Sequence, residues 1–247
     1  MFEEEAPRMQ AQQDASLALS EADRALGDQL LKLAGEIDGA EGYTEPHAAF
    51  IAPLAEALGG QFGLRGSDLA ALKFAALAHD LGERVMKRGY LQRAGELTWD
   101  ERLDLWRHPI LGEQAAAQRG LPRQSQLLIR WHHEWWNGLG YPDALAGEAI
   151  PVGARIIRVV DSYSALIMDR PYRSRLGEDE AQQVIADQAG IELDPRVVQT
   201  FLNLLVTRKR VWRPESLESG VQTFWSPENP DPGLSNPERL QTPDPRL

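Results

Sequence analysis

What most constrains this chain is a succession of helix-period segments between residues 44 and 208, most of them opened by a proline or a capping residue. Thr44-Glu45-Pro46 opens the first, with proline in its first turn, and Ser67-Asp68 opens the next. Thr98 and Glu101 form a capping-box pair ahead of Leu103, Leu105 and Trp106. Pro109 starts a helix through Leu111, and Pro122 starts one running through Ile129 to Glu134. Pro151 opens a long helix carrying Ile156, Val159, Val160, Ala165 and Leu166, and Asp194-Pro195 opens the last, through Phe201 and Leu205. No period-2 pattern of useful length interrupts them, so there is little from which to build a half-buried strand. The expected fold class is all-α, a helical bundle.

The flanks differ in character. Leu17, Leu26, Leu30, Leu33 and Ile37 recur at mostly helical spacing over residues 14–38, which predicts an amphipathic helix. It reads as a lid on the core, with a homodimer helix as the alternative. Residues 213–247 hold seven of the sixteen prolines and read as an extended tail, in which Phe224-Trp225 either packs back or meets a partner. The expected zones are 1–40, an acidic segment with its helix; 41–208, the helical domain; and 209–247, the Pro-rich tail.

The net charge of −11 is concentrated at the ends: residues 1–40 carry −6 and residues 214–247 carry −4, leaving −1 for the middle. No basic face suited to duplex nucleic acid is visible, while a nearly neutral core can accept a phosphodiester beside divalent cations. The absence of cysteine excludes disulfides and thiolate ligands. The acidic N-terminus lacks the apolar core of a secretory signal, and no run of about 18 apolar residues predicts a membrane span. A cytoplasmic location is expected.

All five histidines lie where helices can aim them at one pocket. His47 sits in the first turns of a helix, His79-Asp80 ends AALKFAALAHDLG, His108 precedes Pro109, and His132-His133 ends LLIRWHHE. Asp161 stands among apolar neighbours in RIIRVVDSYSALIM, where a carboxylate is costly unless paired. A lone histidine is ordinarily a hydrogen-bonded core or surface residue, but a set of five with two carboxylates suits metal. Adjacent residues on a helix diverge by about 100°, so each adjacent pair is expected to touch two neighbouring ions rather than grip one. Imidazole and carboxylate without thiolate favour manganese, iron, zinc or a similar ion. Two such ions about 3.5–4 Å apart activate water and hold a displaced phosphoester.

The segments ALAHDLGE, HPILGEQ, HHEWWNGLGYP and ARIIRVVDSYSALIMDRPYR, with His47 before them and DPRVV after, resemble the HD-GYP domains of the HD phosphohydrolases over residues 43–205. The HHE…GYP element is the specific part. The resemblance implies a helical core holding two divalent ions, iron or manganese foremost, with zinc, nickel or magnesium as alternatives. It also implies hydrolysis of cyclic di-GMP to the linear dinucleotide and onward to GMP by a metal-activated hydroxide. His47, His79, Asp80, His108, His132, His133 and Asp161 match metal ligands, with Asp80 bridging. Arg170, Arg173 and Tyr141 match substrate-side positions, and Gly140-Tyr141-Pro142 matches a loop associated with partner contact.

Three departures accompany the match. Glu83 stands where the family usually has lysine, and reads as a catalytic-site residue that weakens phosphate binding, as an extra ligand, or as a solvated turn residue. Tyr43 occupies the position where three-metal members carry glutamate, which favours two ions. Asn137 replaces the usual aspartate, a mild change in a turn. Glu134 reads either as a support for a ligand histidine or as a surface residue, and Trp131, Trp135 and Trp136 either stack on guanine or pack. A catalytically weak cyclic-dinucleotide sensor and a hydrolase of another nucleotide phosphoester remain the alternative functions.

Overall fold

The computed structural model describes residues 21–41, 46–86, 89–92, 96–169 and 174–211. Among them run ten α-helices: α1 (Glu21–Glu41), α2 (His47–Gln61), α3 (Gly66–Ala78), α4 (Leu81–Met86), α5 (Trp99–Leu105), α6 (His108–Gln118), α7 (Arg123–Trp131), α8 (Val152–Ile167), α9 (Glu178–Asp187) and α10 (Pro195–Val211). The described residues contain no strand, only an isolated bridge between Ala189 and Leu193. The all-α expectation holds. No helix among the described residues is long and apolar enough to cross a membrane.

Local signals set the helix starts. Thr98 Oγ1 accepts from the Glu101 N–H at 3.3 Å while Glu101 Oε2 accepts from the Thr98 N–H at 2.8 Å, completing the expected capping box. Asp194 Oδ1 accepts from the Arg196 N–H at 2.7 Å and so caps α10, and Arg155 holds its other oxygen at 2.5 Å. Three expectations shift. Pro46 is the N-cap of α2 rather than part of its first turn. The helix opened by Pro122 ends at Trp131, not Glu134. The helix α9 was not anticipated, because its buried stripe is only Ala181 and Ile185.

α8 is the axis of the molecule: all its residues from Gly153 to Leu166 are buried except Arg155. Ile156, Ile157, Val159 and Val160 pack there with Ile51, Leu58, Phe74 and Phe201 in one core. Each such fully buried side chain contributes about 1.5–3 kcal/mol against exposure. α1 buries Leu30, Ala34 and Ile37 against α2 and α3, as a lid does. At Gly82, a Cβ would lie 1.9 Å from the His108 carbonyl oxygen, so only glycine lets α4 and α6 approach this closely. That approach brings His108 beside the His79-Asp80 corner.

Candidate metal centre

Five separate pieces of chain supply the site. His47 opens α2, His79 and Asp80 form the corner between α3 and α4, and His108 opens α6. His132 and His133 follow the end of α7, and Asp161 projects from the middle of α8. All five histidines and Asp161 are buried. Their ligand atoms form two groups, one of Asp80, His108, His132 and His133 and the other of His47, His79 and Asp80, with the atoms of each group within 4.8 Å of one another. Asp80 belongs to both. Asp161 Oδ1 joins the second group, 3.2 Å from His47 Nε2 and 3.7 Å from His79 Nε2. The structure thus unites all seven residues read from the sequence as ligands.

One detail differs from expectation: His132 and His133 belong to the same group. The divergence argument holds only inside a helix, and α7 has ended at Trp131, so the two rings turn together with centroids 4.1 Å apart.

The supports of the rings fit a cation. His79, His108 and His132 each pair Nδ1 with the carbonyl three residues earlier, at 3.0, 2.9 and 2.6 Å. A carbonyl can only accept, so Nδ1 carries a proton in all three and Nε2 faces the cluster, with its lone pair free in His108 and His132. His47 Nδ1 lies 2.8 Å from Ser164 Oγ. His79 Nε2 lies 2.8 Å from Asp80 Oδ2, and His108 and His132 bring their Nε2 atoms to 3.3 Å. Lone pairs converging on a carboxylate shared by two groups form a donor set for divalent ions.

Electrostatics agree. Burial opposes ionisation of Asp80, but the rings of His79, His108 and His132 hold it well below the usual carboxylate range. Asp161 is likewise held down to about 2, its own burial overcome by the hydrogen bond from His47 and the charge of His79. His132 is pushed down to about 3 by burial and by its neighbours His108 and His79, so it is neutral and ready to ligate. His79 goes the other way: burial disfavours its cation, yet Asp80 and Asp161 raise it to about 10. That proton is the one a metal ion would displace.

The remaining candidates divide. Tyr141 stacks on His133, with centroids 4.9 Å apart and planes 16° from parallel. Glu83 lies in the first turn of α4, its N–H bound to the Asp80 carbonyl at 2.9 Å, but it is not among the clustered ligands. Glu134 is buried and accepts the N–H groups of Asp143 and Leu145 at 2.6 and 2.9 Å, so it ties down the loop carrying Tyr141. Asn137 Oδ1 accepts the Leu139 N–H at 2.9 Å, the turn expected of it. Arg170, Arg173 and Tyr43 lie outside the described residues.

Sequence reasoning missed two features. Trp106 stacks on Tyr141 at 5.4 Å, and Trp99, 64% exposed, meets Trp106 edge to face at 5.8 Å. Of the tryptophans weighed for stacking, Trp131 instead bonds Asp143 at 2.7 Å, and Trp136 lies under the Arg155 guanidinium at 5.7 Å. Arg158 is the second, a buried arginine touching His133.

The family profile described as HD domain matches residues 19–197. The chain belongs to the HD domain family. As an HD domain it is 33% identical over 187 residues to the cyclic di-GMP phosphodiesterase response regulator RpfG of Xanthomonas campestris pv. campestris, covering 75% of this chain and 50% of that protein. It is 38% identical over 135 residues to a cyclic di-GMP phosphodiesterase of Vibrio cholerae, covering 52% and 27%. It thus spans about half the length, or less, of these curated relatives. The crystal structure of a cyclic GMP-AMP specific phosphodiesterase of V. cholerae, V-cGAP3, shares the fold, with a TM-score of 0.60 and 22% identity over 75% of this chain and 50% of that one. The HD-GYP resemblance read from the sequence stands, and the matched region begins within the N-terminal zone, at residue 19.

Proposed function

We propose that this HD domain hydrolyses a phosphodiester bond of a cyclic dinucleotide, with cyclic di-GMP as the first substrate to test. The observation that carries this reading is the buried Asp80 carboxylate shared by two groups of histidine nitrogens. His47, His79, Asp80 and Asp161 would hold one divalent ion, and Asp80, His108, His132 and His133 the other; the ligands suit manganese, iron, zinc or a similar ion, of which the HD-GYP resemblance favours iron or manganese. When bound, such a pair supplies Lewis acidity, activating water and polarising a phosphoryl oxygen. The protein's own part is to fix the nitrogens through the backbone carbonyls and to keep His108 and His132 uncharged. The names of the two curated relatives support cyclic di-GMP.

The test is a panel of cyclic di-GMP, 3'3'-cGAMP and linear pGpG offered to manganese- or iron-loaded protein. Linearisation of a cyclic dinucleotide is expected. Binding without product would instead mark a sensor, the reading that Glu83 in place of a lysine favours. Preference for 3'3'-cGAMP is the second outcome worth separating, given the substrate named for a V. cholerae relative 27% identical over 172 residues.

The rings of Trp99, Trp106 and Tyr141 lead from the surface to His133 and offer purine bases a stacking face. Stacking of one base contributes about 1–3 kcal/mol, so Trp106→Ala should raise KM by about fivefold or more. Metal content should stay unchanged. An unaltered KM removes the rings from substrate binding.

A further inference from the structure

Arg158, on α8, is one of the largest fully buried side chains in the molecule, 2% exposed. Its Nη2 pairs with Glu192 Oε2, its Nε has no partner, and its Nη1 lies 3.2 Å from His133 Nδ1. A guanidinium donates only, so His133 Nδ1 must accept. A neutral imidazole has one lone pair. With that pair spent on Arg158, the proton of His133 sits on Nε2 and the ring has nothing left to give a cation. His108 and His132 have the opposite arrangement, with Nδ1 donating to a carbonyl and Nε2 available. Yet His133 belongs by position to the ligand group of Asp80, His108 and His132.

We propose that Arg158 competes with the second divalent ion for His133, so that this ion gains its last protein ligand only when the guanidinium releases the ring. The inference rests on the two-ion reading above and adds how the second ion is regulated. Arg158 is thus a positioning residue acting through His133, and Glu192 is the anchor that retains the guanidinium when it lets go. The consequence is unequal affinity: a tight ion at His47, His79, Asp80 and Asp161, and a weaker one at the group that must displace an arginine.

The test is Mn(II) titration of EDTA-stripped protein, read by calorimetry and by electron paramagnetic resonance. Wild type should bind in a tight and a weak step. Arg158→Met alone strands a buried Glu192, so it is paired with Glu192→Gln, which removes both charges together. In the double variant the weak step should tighten by about tenfold or more, the range seen when groups supporting a metal ligand are changed, while the tight step stays put. His133→Ala should then abolish that gain in the double variant. A weak step that is unchanged or loosened in the double variant overturns the proposal. A variant-free check is the imidazole nitrogen spectrum of the metal-free wild type. His133 should show its lone pair on Nδ1, opposite to His108 and His132, and the same tautomer in all three overturns the proposal. Failure of every form to take up Mn(II) would overturn the two-ion reading itself, whereas uptake with an unmoved weak step overturns only the role of Arg158.

Discussion

Asp80→Ala will strip both ions from the protein and lower kcat/KM on a cyclic dinucleotide by about 10³-fold or more, a loss at least as large as that of one charge-stabilising group in an active site. The effect is large because one side chain serves both groups of ligand atoms. Oδ2 lies 2.8 Å from His79 Nε2, and Oδ1 lies 3.7 and 3.9 Å from the Nε2 atoms of His108 and His132. Loss of a terminal ligand leaves its neighbour's group whole. Loss of this carboxylate opens both and removes the only anion beside His108 and His132 among the grouped ligands. The fold should survive, because Asp80 sits at a corner between helices and outside the apolar core. Metal content, circular dichroism and turnover measured on the same sample separate these claims. A folded Asp80→Ala protein that retains two ions would refute the bridging role. Glu83→Lys is a useful companion, since it restores the cation that the HD-GYP resemblance leads one to expect without touching the clustered ligands.

Much of this site was legible because each clustered side chain comes with a local signal. The corner in ALAHDLGE, the proline after His108 and the isolated acid in RIIRVVDSYSALIM are all short-range patterns, and the structure places their side chains together. The capping box at Thr98 was legible for the same reason. The end of α7 was not. Nothing in LLIRWHHE breaks a helix by propensity, and what stops it is the loop that follows, tied back through buried Glu134 to Asp143 and Leu145. Gly140 makes this return possible: a Cβ there would lie 2.2 Å from the Trp135 nitrogen and 2.5 Å from the His133 oxygen. Arg158 escaped notice because an arginine within an apolar helix ordinarily reads as a solvated edge, and its partner Glu192 lies 34 residues away. Trp106 read as part of the apolar stripe behind the capping box, and only tertiary packing reveals its stack on Tyr141. Long-range partners of a single side chain carry no periodic signature, so sequence patterns expose the clustered residues better than they expose their distant partners.

The metal-free protein should lose stability as the medium is acidified from pH 6.5 toward pH 4.5, and the sign follows from the histidines. His132 titrates near 6.5 when unfolded, but burial and the neighbouring His108 and His79 press it to about 3 in the folded chain. Between those values the unfolded state holds a proton that the folded state refuses, so stability rises with pH across the window and is lost as pH falls through it. Each pH unit costs up to about 1.4 kcal/mol per such group, so acidification from 6.5 to 4.5 removes about 2 kcal/mol through His132 alone. His108 and His133 are shifted in the same direction. His79 is shifted oppositely, to about 10; its contribution is fully present below 6.5 and is lost progressively as pH rises from there through 10, so it does not offset the acid loss. Asp161, held at about 2, keeps its contribution until the pH drops below the ordinary carboxylate range. Urea unfolding in EDTA at pH 7.0, 5.5 and 4.5 reads the slope directly, and a flat profile would mean that the rings accept protons without cost. Added Mn(II) should raise stability most at neutral pH and progressively less toward pH 4.5, because ion and proton contend for the same nitrogens. Against the about 5–15 kcal/mol that holds a domain folded, such a dependence makes acidity and metal supply joint determinants of whether this buried cluster can exist at all.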